Sequence, residues 1–349
     1  MEEDKGKCRI SIIVPVFNTP NELLLRCFES IQKQTFQNFE LIVVDDGSEN
    51  ECSSFLQHNE SKYGYRLFRR TNSGVSAARN FGIEQSRGEF IMFADADDFL
   101  EEDCLSRAVR AADQNEADVV LGGINLIRGS TITRYVISLD EPAVYTGEAI
   151  QKLQRYMIAV HSEKDAQELK RLRFSGPWGK LIRKDVLGAV RFDVDLPVYE
   201  DLIFNVAVFD KALKVVIDNA VWYNYIIYNN SAMHKYRADG IREQMAVINR
   251  LWQLNGEAGK SFTAAVSIKT ITCLKHIFRH TIFHKLSSIE HKYAVARSIL
   301  CEPLVLTILK QVDLKNYIDI GLKEKVIFFL FRKRLAFILA VLYSIKGMQ

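Results

Sequence analysis

Three carboxylates follow a short apolar run in the N-terminal half of the chain. The run Glu89–Phe93 leads into Asp95, Asp97 and Asp98. Carboxylates this close repel one another, and each raises the pKa of its neighbours unless solvent or a cation compensates the charge. An Asp-x-Asp arrangement of oxygen ligands suits a hard divalent ion such as Mg²⁺ or Mn²⁺, which can also bind a diphosphate. The alternative is a polar turn that caps a helix beginning near Glu101.

A second acidic pair, Glu200 and Asp201, precedes the apolar stretch Leu202–Phe209, which we predict to be a buried helix. Adjacent carboxylates raise each other's proton affinity, and this suits a general base that works near neutral pH. Adjacent residues on a helix do not share a face, so only one of the two should point into a site. The alternative is that both acids cap the helix that follows.

The elements that would position these acids alternate along the first 127 residues. The apolar pattern predicts strands at Ile10–Phe17, Phe39–Val44, Arg66–Arg69, Glu89–Phe93 and Asp118–Ile127, with helices from Asn21 and over Ser76–Ser86. Alternating strands and helices predict an α/β fold with a mostly parallel sheet. Ligands of such sheets bind at the carboxyl ends of the strands, where Asp46 and Asp95 are both expected. The irregular, aromatic segment 128–235 and a helical region follow.

The composition of the chain is that of a globular protein and argues against several other classes of protein. The chain has 349 residues, 48% hydrophobic and 26% charged, which predicts a globular protein of two or three structural units. A net charge of only +3 argues against a nucleic-acid partner. The six cysteines form no Cys-x-x-Cys pair, which favours reduced thiols in the cytoplasm. We find no secretory signal and no run of 18 apolar residues.

Four motifs, in this order and spacing, resemble the inverting glycosyltransferase family 2. They are Val14–Asn18, Val43–Ser48, Asn72–Asn80 and Asp95–Asp98, and Tyr199–Asp201 matches a later Glu-Asp motif of the family. The resemblance covers roughly residues 8–235. It implies a GT-A fold, a nucleotide-diphospho-sugar donor, a divalent cation (Mn²⁺ or Mg²⁺) and transfer with inversion. Relatives of this type build capsule, O-antigen, exopolysaccharide or teichoic-acid glycans.

The resemblance also implies a donor-binding set. It comprises Pro15, Asp46, Asn72, Arg79, Asp95, Ala96 and Asp97. Within it, Asp97 touches the metal and Asp95 reaches the ribose or a metal-bound water. Asp46 accepts a hydrogen bond from uracil, and Arg79 offers a guanidinium fork to phosphate. The alternatives are an Asp-Gly turn that stabilises itself for Asp46, and a surface salt bridge for Arg79.

Fewer residues can be assigned to the binding of the acceptor. The resemblance places Asp201 beside the acceptor hydroxyl as base, with Glu200 as its helper. Trp178 stacks on a sugar or is a buried structural residue, and Lys180 lies two residues on. Relatives carry a loop with an Arg and a Ser that closes over the diphosphate. Here the sequence at this place is Tyr228-Asn229-Asn230-Ser231, so a phosphate-binding Arg cannot be carried over. Ser231 and His234 are the candidates for substrate binding, with Lys235 as the alternative to His234.

These observations predict a nucleotide-sugar-binding half at 1–127, an acceptor-binding half at 128–235 and a helical region at 236–349. We expect a metal-dependent enzyme that moves a sugar from a UDP-sugar to a hydroxyl of a glycan or polyprenyl-linked acceptor. A nucleotidyltransferase is the alternative enzyme, although the Gly-rich, Lys-bearing loop of that class is missing from Val14–Asn18. A non-catalytic nucleotide-sugar or glycan-binding module is the other alternative.

Residues 320–349 carry six Lys and Arg against one acid, Glu324, together with many bulky apolar residues. This composition is typical of a helix that lies in an anionic membrane surface. It would place the protein on the inner face of the cell membrane. A buried terminal helix or a dimer interface explains the apolar residues equally well, and the oligomeric state stays open.

Overall fold

The computed structural model describes residues 8–137, 142–159, 169, 172, 175–228, 239–259, 261–282, 288–311 and 322–344. They form two compact units. The first takes the described residues up to 154, then 169, 172, 175–195 and 200–228. The second takes 155–159, 196–199 and the described residues from 239 onward.

The first unit is built on one mixed sheet to which ten strands contribute within the described residues. These are β1 (Ile10–Val16), β2 (Phe39–Asp45), β3 (Tyr65–Arg69), β4 (Phe90–Phe93), β5 (Phe99–Leu100), β6 (Val119–Arg128), β7 (Thr131–Tyr135), β8 (Ala143–Thr146), β9 (Lys180–Arg183) and β10 (Lys214–Ile226). The order is β3-β2-β1-β4-β9-β6-β10-β5, with β7 beside β6 and β8 beside β10. The pairings make β1, β2, β3, β4, β6 and β10 run in one direction. Their carboxyl ends therefore meet at one edge of the sheet.

Helices connect these strands. They are α1 (Asn21–Gln32), α2 (Asn50–Tyr63), α3 (Val75–Gln85), α4 (Cys104–Asn115), α5 (Glu148–Ile158), α6 (Lys184–Leu187) and α7 (Glu200–Lys211). Helix α1 shows how the pattern in the sequence leads to packing, because its four buried residues recur at helical spacing. They are Leu24, Cys27, Phe28 and Ile31. Phe28 also contacts the rings of Tyr63 and Tyr65. Its truncation to alanine would cost about 3–5 kcal/mol.

The mainly parallel α/β fold expected from the sequence is confirmed, and the five predicted strands lie within one or two residues of β1, β2, β3, β4 and β6. The sequence pattern did not reveal helix α2 or the antiparallel strands β5, β7, β8 and β9. These strands have two to five residues, too few for a periodic apolar signal. Strand β9 pairs with both β4 and β6, so the segments 1–127 and 128–235 build one sheet.

The described residues of the second unit from 240 onward are mostly helical, as the sequence predicts. Its elements are α8 (Gly240–Glu257), α9 (Thr263–His276), a π-helical turn (Ile277–Ile282), α10 (Ile289–Leu300), α11 (Pro303–Gln311), α12 (Leu322–Arg332) and α13 (Ala336–Ser344). In the part of the chain that the structure describes, no helix has the length and apolar content needed to cross a membrane.

Candidate active site

The Asp-x-Asp sequence forms a turn directly after β4. The Asp98 amide donates to the Asp95 carbonyl at 3.1 Å, which closes the turn. The Tyr223 hydroxyl accepts from the Asp95 amide and donates to Oδ2 of Asp98, both at 2.9 Å. The Ile226 amide donates to Oδ1 of Asp98 at 2.9 Å. Asp98 is therefore a buried support that fixes the turn to β10, and the helix that follows begins only at Cys104.

The charges of this turn are not fully compensated. Burial, followed by the charges of Asp95 and Asp97, raises the pKa of Asp98 to about 9. Burial and the charge of Asp95 also raise the pKa of the Asp97 carboxyl above its ordinary value. A bound cation would stabilise the charged form of both Asp95 and Asp97.

Asp95 and Asp97 fit a divalent cation of the Mg²⁺ type. Both are partly exposed, whereas both oxygens of Asp98 are engaged within the fold. Within the described ranges, no group of three or more His, Cys, Asp or Glu residues is arranged to hold a metal. Mg²⁺ needs no such protein cage, because it is commonly held by one or two carboxylates together with substrate phosphates and water.

Arg79 of α3 joins the two acidic motifs. Its Nη2 donates to Oδ1 of Asp95 at 2.8 Å, and its Nη1 donates to Oε1 of Glu200 at 3.3 Å. The side chain is only 5% exposed. Burial lowers the pKa of Arg79, but the charges of Asp95 and Glu200 outweigh burial and raise it, so the guanidinium stays charged. Arg79 thus forms a salt bridge in the interior, not at the surface, and its contact with phosphate stays a prediction.

Glu200 and Asp201 begin helix α7. Glu200 contacts Arg79, whereas Oδ1 of Asp201 accepts from the Leu202 amide at 2.7 Å. Burial, followed by the charge of Glu200, raises the pKa of Asp201 to about 6, and Arg79 and Lys180 act in the opposite direction. A carboxyl with this pKa is ionised at neutral pH and can still accept a proton, which is what a general base requires.

Lys180 begins β9 and is buried. Its ammonium group donates to the carbonyl of Gly176, which also accepts from Nδ2 of Asn205 at 2.9 Å. Burial lowers the pKa of Lys180 to about 7, and the charge of Asp201 opposes this shift. Lys180 is only 1% exposed, so its contact with a substrate stays a prediction. Its charge lowers the pKa of Asp201.

Trp178 stacks on two tyrosines of β10. Its ring lies 5.2 Å from that of Tyr223, at an interplanar angle of 6°, and 5.3 Å from that of Tyr225. A Cβ atom at Gly176 would lie 2.5 Å from the indole, so a larger residue cannot stand there without moving the ring. The stack supports the structural role for Trp178, and the contact with a sugar stays a prediction.

Asp46 holds the loop that precedes α3. Its carboxylate accepts the backbone amides of Ser73, at 3.1 Å, and Gly74, at 2.8 Å. Gly47 allows this approach, because its φ is +85° and a Cβ there would lie 2.8 Å from the Asn72 nitrogen. Asn72 is exposed on this loop. Asp46 therefore organises the predicted nucleotide site, and its contact with a base stays a prediction.

Pro15 is the sixth residue of β1, a strand with neighbours on both sides. It pairs with Val44 of β2, but the pairing of β1 with β4 ends two residues earlier, at Ile13 and Phe93. Proline cannot donate to a sheet ladder, and here the strand has already passed the end of β4. Pro15 thus lies at the same edge of the sheet as the acidic turn. Ser231 and His234 lie outside the described residues.

Two residues that support the site were not predicted from the sequence. Arg26 of α1 donates to the Asp97 carbonyl and, at 3.0 Å, to the Tyr228 hydroxyl. Tyr223 holds the acidic turn, as described above. The partners are 71 and 202 residues away in the case of Arg26 and 125 and 128 residues away in the case of Tyr223. No local pattern reveals such contacts, although β10 is visibly rich in tyrosine.

Comparison with known proteins identifies the family of the chain. The model of the family Glycosyl transferase family 2 matches residues 11–190, which is more than half of the chain. Glycosyltransferase GlyA of Streptococcus pneumoniae is 29% identical over 225 residues, covering 64% of this chain and 31% of the relative. Glycosyltransferase GlyG of the same organism is 30% identical over 188 residues, covering 52% and 59%.

The fold is shared with a solved structure, that of S. aureus TarS 1-349 in complex with UDP-GlcNAc. The TM-score is 0.67 at 18% identity, over 96% of this chain and 90% of the solved chain. The chain spans less than two thirds of the length of GlyA and of GlyG. The match of the family model, together with the shared fold, shows that the chain belongs to glycosyl transferase family 2.

Proposed function

We propose that this chain is an inverting, metal-dependent glycosyltransferase of cell-surface polysaccharide synthesis. It moves a sugar from a UDP-sugar to a hydroxyl of a glycan or polyprenyl-linked acceptor. The observation that carries the proposal is the salt-bridged cluster of Asp95, Arg79 and Glu200, which brings a candidate cation turn and a candidate base onto one edge of the sheet. The relatives named above support sugar transfer, and the TarS complex with UDP-GlcNAc supports the donor class.

The reaction breaks the bond between the anomeric carbon and the diphosphate oxygen, and forms a bond from that carbon to the acceptor oxygen. Asp201 takes the proton of the acceptor hydroxyl as the oxygen attacks. Attack on the face opposite the leaving diphosphate inverts the configuration in a single displacement. Glu200 contributes indirectly, because its charge raises the pKa of Asp201 and its contact with Arg79 fixes the start of α7.

The leaving UDP carries negative charge that must be stabilised. Asp97 and Asp95 are the residues that would hold a divalent cation, which supplies Lewis-acid stabilisation of the diphosphate when bound. Arg79 keeps a fixed positive charge beside Asp95, so the turn is partly neutralised before a donor arrives. The loop held by Asp46 presents Asn72 to the nucleotide.

A donor experiment separates the candidate functions. The chain is screened against UDP, GDP and CMP sugars by thermal shift with and without Mn²⁺, and each binder is then assayed for diphosphate release. A ligand present at about 100 times its dissociation constant adds about 2.7 kcal/mol to stability. We expect a UDP-sugar to bind with Mn²⁺ and to be hydrolysed slowly.

Binding without any release, with or without a glycan acceptor, would favour a non-catalytic module. Pyrophosphate formation from a nucleoside triphosphate and a sugar phosphate would favour a nucleotidyltransferase. Either result overturns the proposal.

A further inference from the structure

The C-terminal basic cluster lies in a turn between two helices. Helix α12 ends at Arg332, and the next amides donate back into it, Arg334 to the Phe331 carbonyl and Leu335 to the Leu330 carbonyl, each at 2.9 Å. Arg334 has a φ of +54°. This is a Schellman ending with a left-handed residue at the position where glycine is favoured. We call residues 332–334 the basic turn.

Apolar side chains are exposed on both sides of the basic turn. On α12 these are Val326 and Phe329, the latter 53% exposed. On α13 they are Phe337, 60% exposed, and Ile338. Large apolar residues that are exposed singly are ordinary, but four within thirteen positions form a patch of the kind that marks an interaction site.

Other residues of the two helices supply most of their packing in the second unit. Other positions of α12 are buried, namely Ile327, Phe328, Leu330 and Phe331. The Phe331 ring lies 5.1 Å from that of Phe278. On α13, Ala336 and Leu339 are buried. A buried terminal helix therefore accounts for these residues. Of the exposed set, Phe337 also contacts the ring of Tyr293 edge-on, with 6.3 Å between the ring centroids, and still leaves 60% of its surface exposed.

The charged residues of the segment that carries the patch have one sign. Lys325, Arg332, Lys333 and Arg334 are all exposed, and residues 325–344 contain no Asp or Glu. Basic and apolar groups side by side match a surface that is anionic at its boundary and apolar beneath, because the long basic side chains reach phosphate while the rings enter the acyl region.

We propose that the exposed surface of α12, the basic turn and α13 docks reversibly on an anionic lipid surface. Attraction of each basic residue near such a surface is short-ranged and weakens with salt. The proposal concerns the second unit alone and does not depend on the proposed transfer reaction.

The test is sedimentation of the full chain with vesicles of phosphatidylcholine, with or without phosphatidylglycerol. Arg332→Gln/Lys333→Gln/Arg334→Gly removes the charges of the basic turn, and glycine at 334 suits the left-handed backbone, so folding is preserved. Phe329→Gln/Ile338→Gln removes apolar contacts. The matched control is Lys33→Gln/Arg110→Gln/Lys310→Gln, three exposed basic residues elsewhere.

We expect binding only to vesicles with phosphatidylglycerol and loss of binding in high salt. The basic-turn variant should bind about 100-fold more weakly, since each of its three basic residues contributes about fivefold. The apolar variant should also bind more weakly, and the control should bind like the parent. Equal binding by all variants overturns the proposal. So does a result in which the parent is a dimer that ignores vesicles and the apolar variant is a monomer, because the patch would then be an interface between copies.

Discussion

Nη2 of Arg79 lies 2.8 Å from Oδ1 of Asp95, and this salt bridge ties α3 to the turn after β4. The same guanidinium reaches Glu200 of α7 at 3.3 Å. One buried cation therefore links the candidate metal turn to Glu200 at the start of α7, next to the candidate base Asp201. This arrangement makes Arg79 a positioning residue whose loss should affect both.

The variant Arg79→Gln should lower the free energy of unfolding by about 2–4 kcal/mol, because it leaves two partly buried carboxylates without their cation. The estimate lies below that for fully buried pairs, since the Asp95 side chain is 25% exposed. Chemical denaturation measures the change. The control Lys211→Gln removes an exposed ion pair with Asp210 and should change stability by less than about 1 kcal/mol. Equal effects of the two variants would contradict the role of Arg79.

The variant Tyr223→Phe should loosen the acidic turn while it keeps the ring that stacks on Trp178. It removes the hydroxyl that accepts from the Asp95 amide and donates to Asp98. A buried group left without a partner costs about 1–3 kcal/mol. We expect that loss of stability and weaker Mn²⁺-dependent binding of UDP, measured by calorimetry. Tyr225→Phe, in the neighbouring ring of the same stack, is the matched control and should bind UDP normally.

The variant Asp97→Asn should abolish the gain in UDP affinity that Mn²⁺ provides, because the amide is a neutral and weaker ligand for a hard cation. Titration of UDP with and without Mn²⁺ measures this gain. Asp103→Asn removes an exposed carboxylate six positions along the chain and should leave the gain intact. If Asp97→Asn responds to Mn²⁺ as the parent does, the metal lies elsewhere.

The variant Asp201→Asn should lower the rate of transfer about 100-fold or more, because an amide cannot accept the proton. Donor affinity should change little. Stability at neutral pH should be equal or higher: the pKa of Asp201 is raised in the fold, so ionisation there opposes folding above the ordinary carboxyl pKa, and the amide removes that penalty. A variant that keeps its rate would move the base to Glu200.

The pH dependence of the rate should follow Asp201. Transfer should fall as pH drops through about 6, where the carboxyl becomes protonated. The Lys180 charge lowers the pKa of Asp201, so Lys180→Met should raise that pKa and move the acidic limb of the profile to higher pH. Burial should tolerate methionine, and Asn205 still donates to the Gly176 carbonyl. If the acidic limb of the pH profile does not move, Lys180 acts only through packing.

The sequence by itself determined the order of the elements in the first 127 residues. Buried strands such as β1 are apolar throughout, and helix α1 repeats its apolar residues at helical spacing, so both are visible in a single chain. It also determined that Asp46 and the Asp95–Asp98 turn lie at one edge of the sheet, because parallel strands end on the same side. The order and spacing of the motifs, which are also visible in a single chain, identified the family.

Only the tertiary structure decided which of the carboxylates is bonded within the fold and which are left partly exposed. Asp95, Asp97 and Asp98 are alike in sequence, but Tyr223 and Ile226 engage Asp98 from strand β10, more than 120 residues away. Likewise Arg79 is bound to Asp95 and Glu200, and the ammonium of Lys180 lies in the interior near Asp201. The pKa of a carboxyl depends on burial and on the charges around it, and both are set by chain segments that meet only in the folded protein.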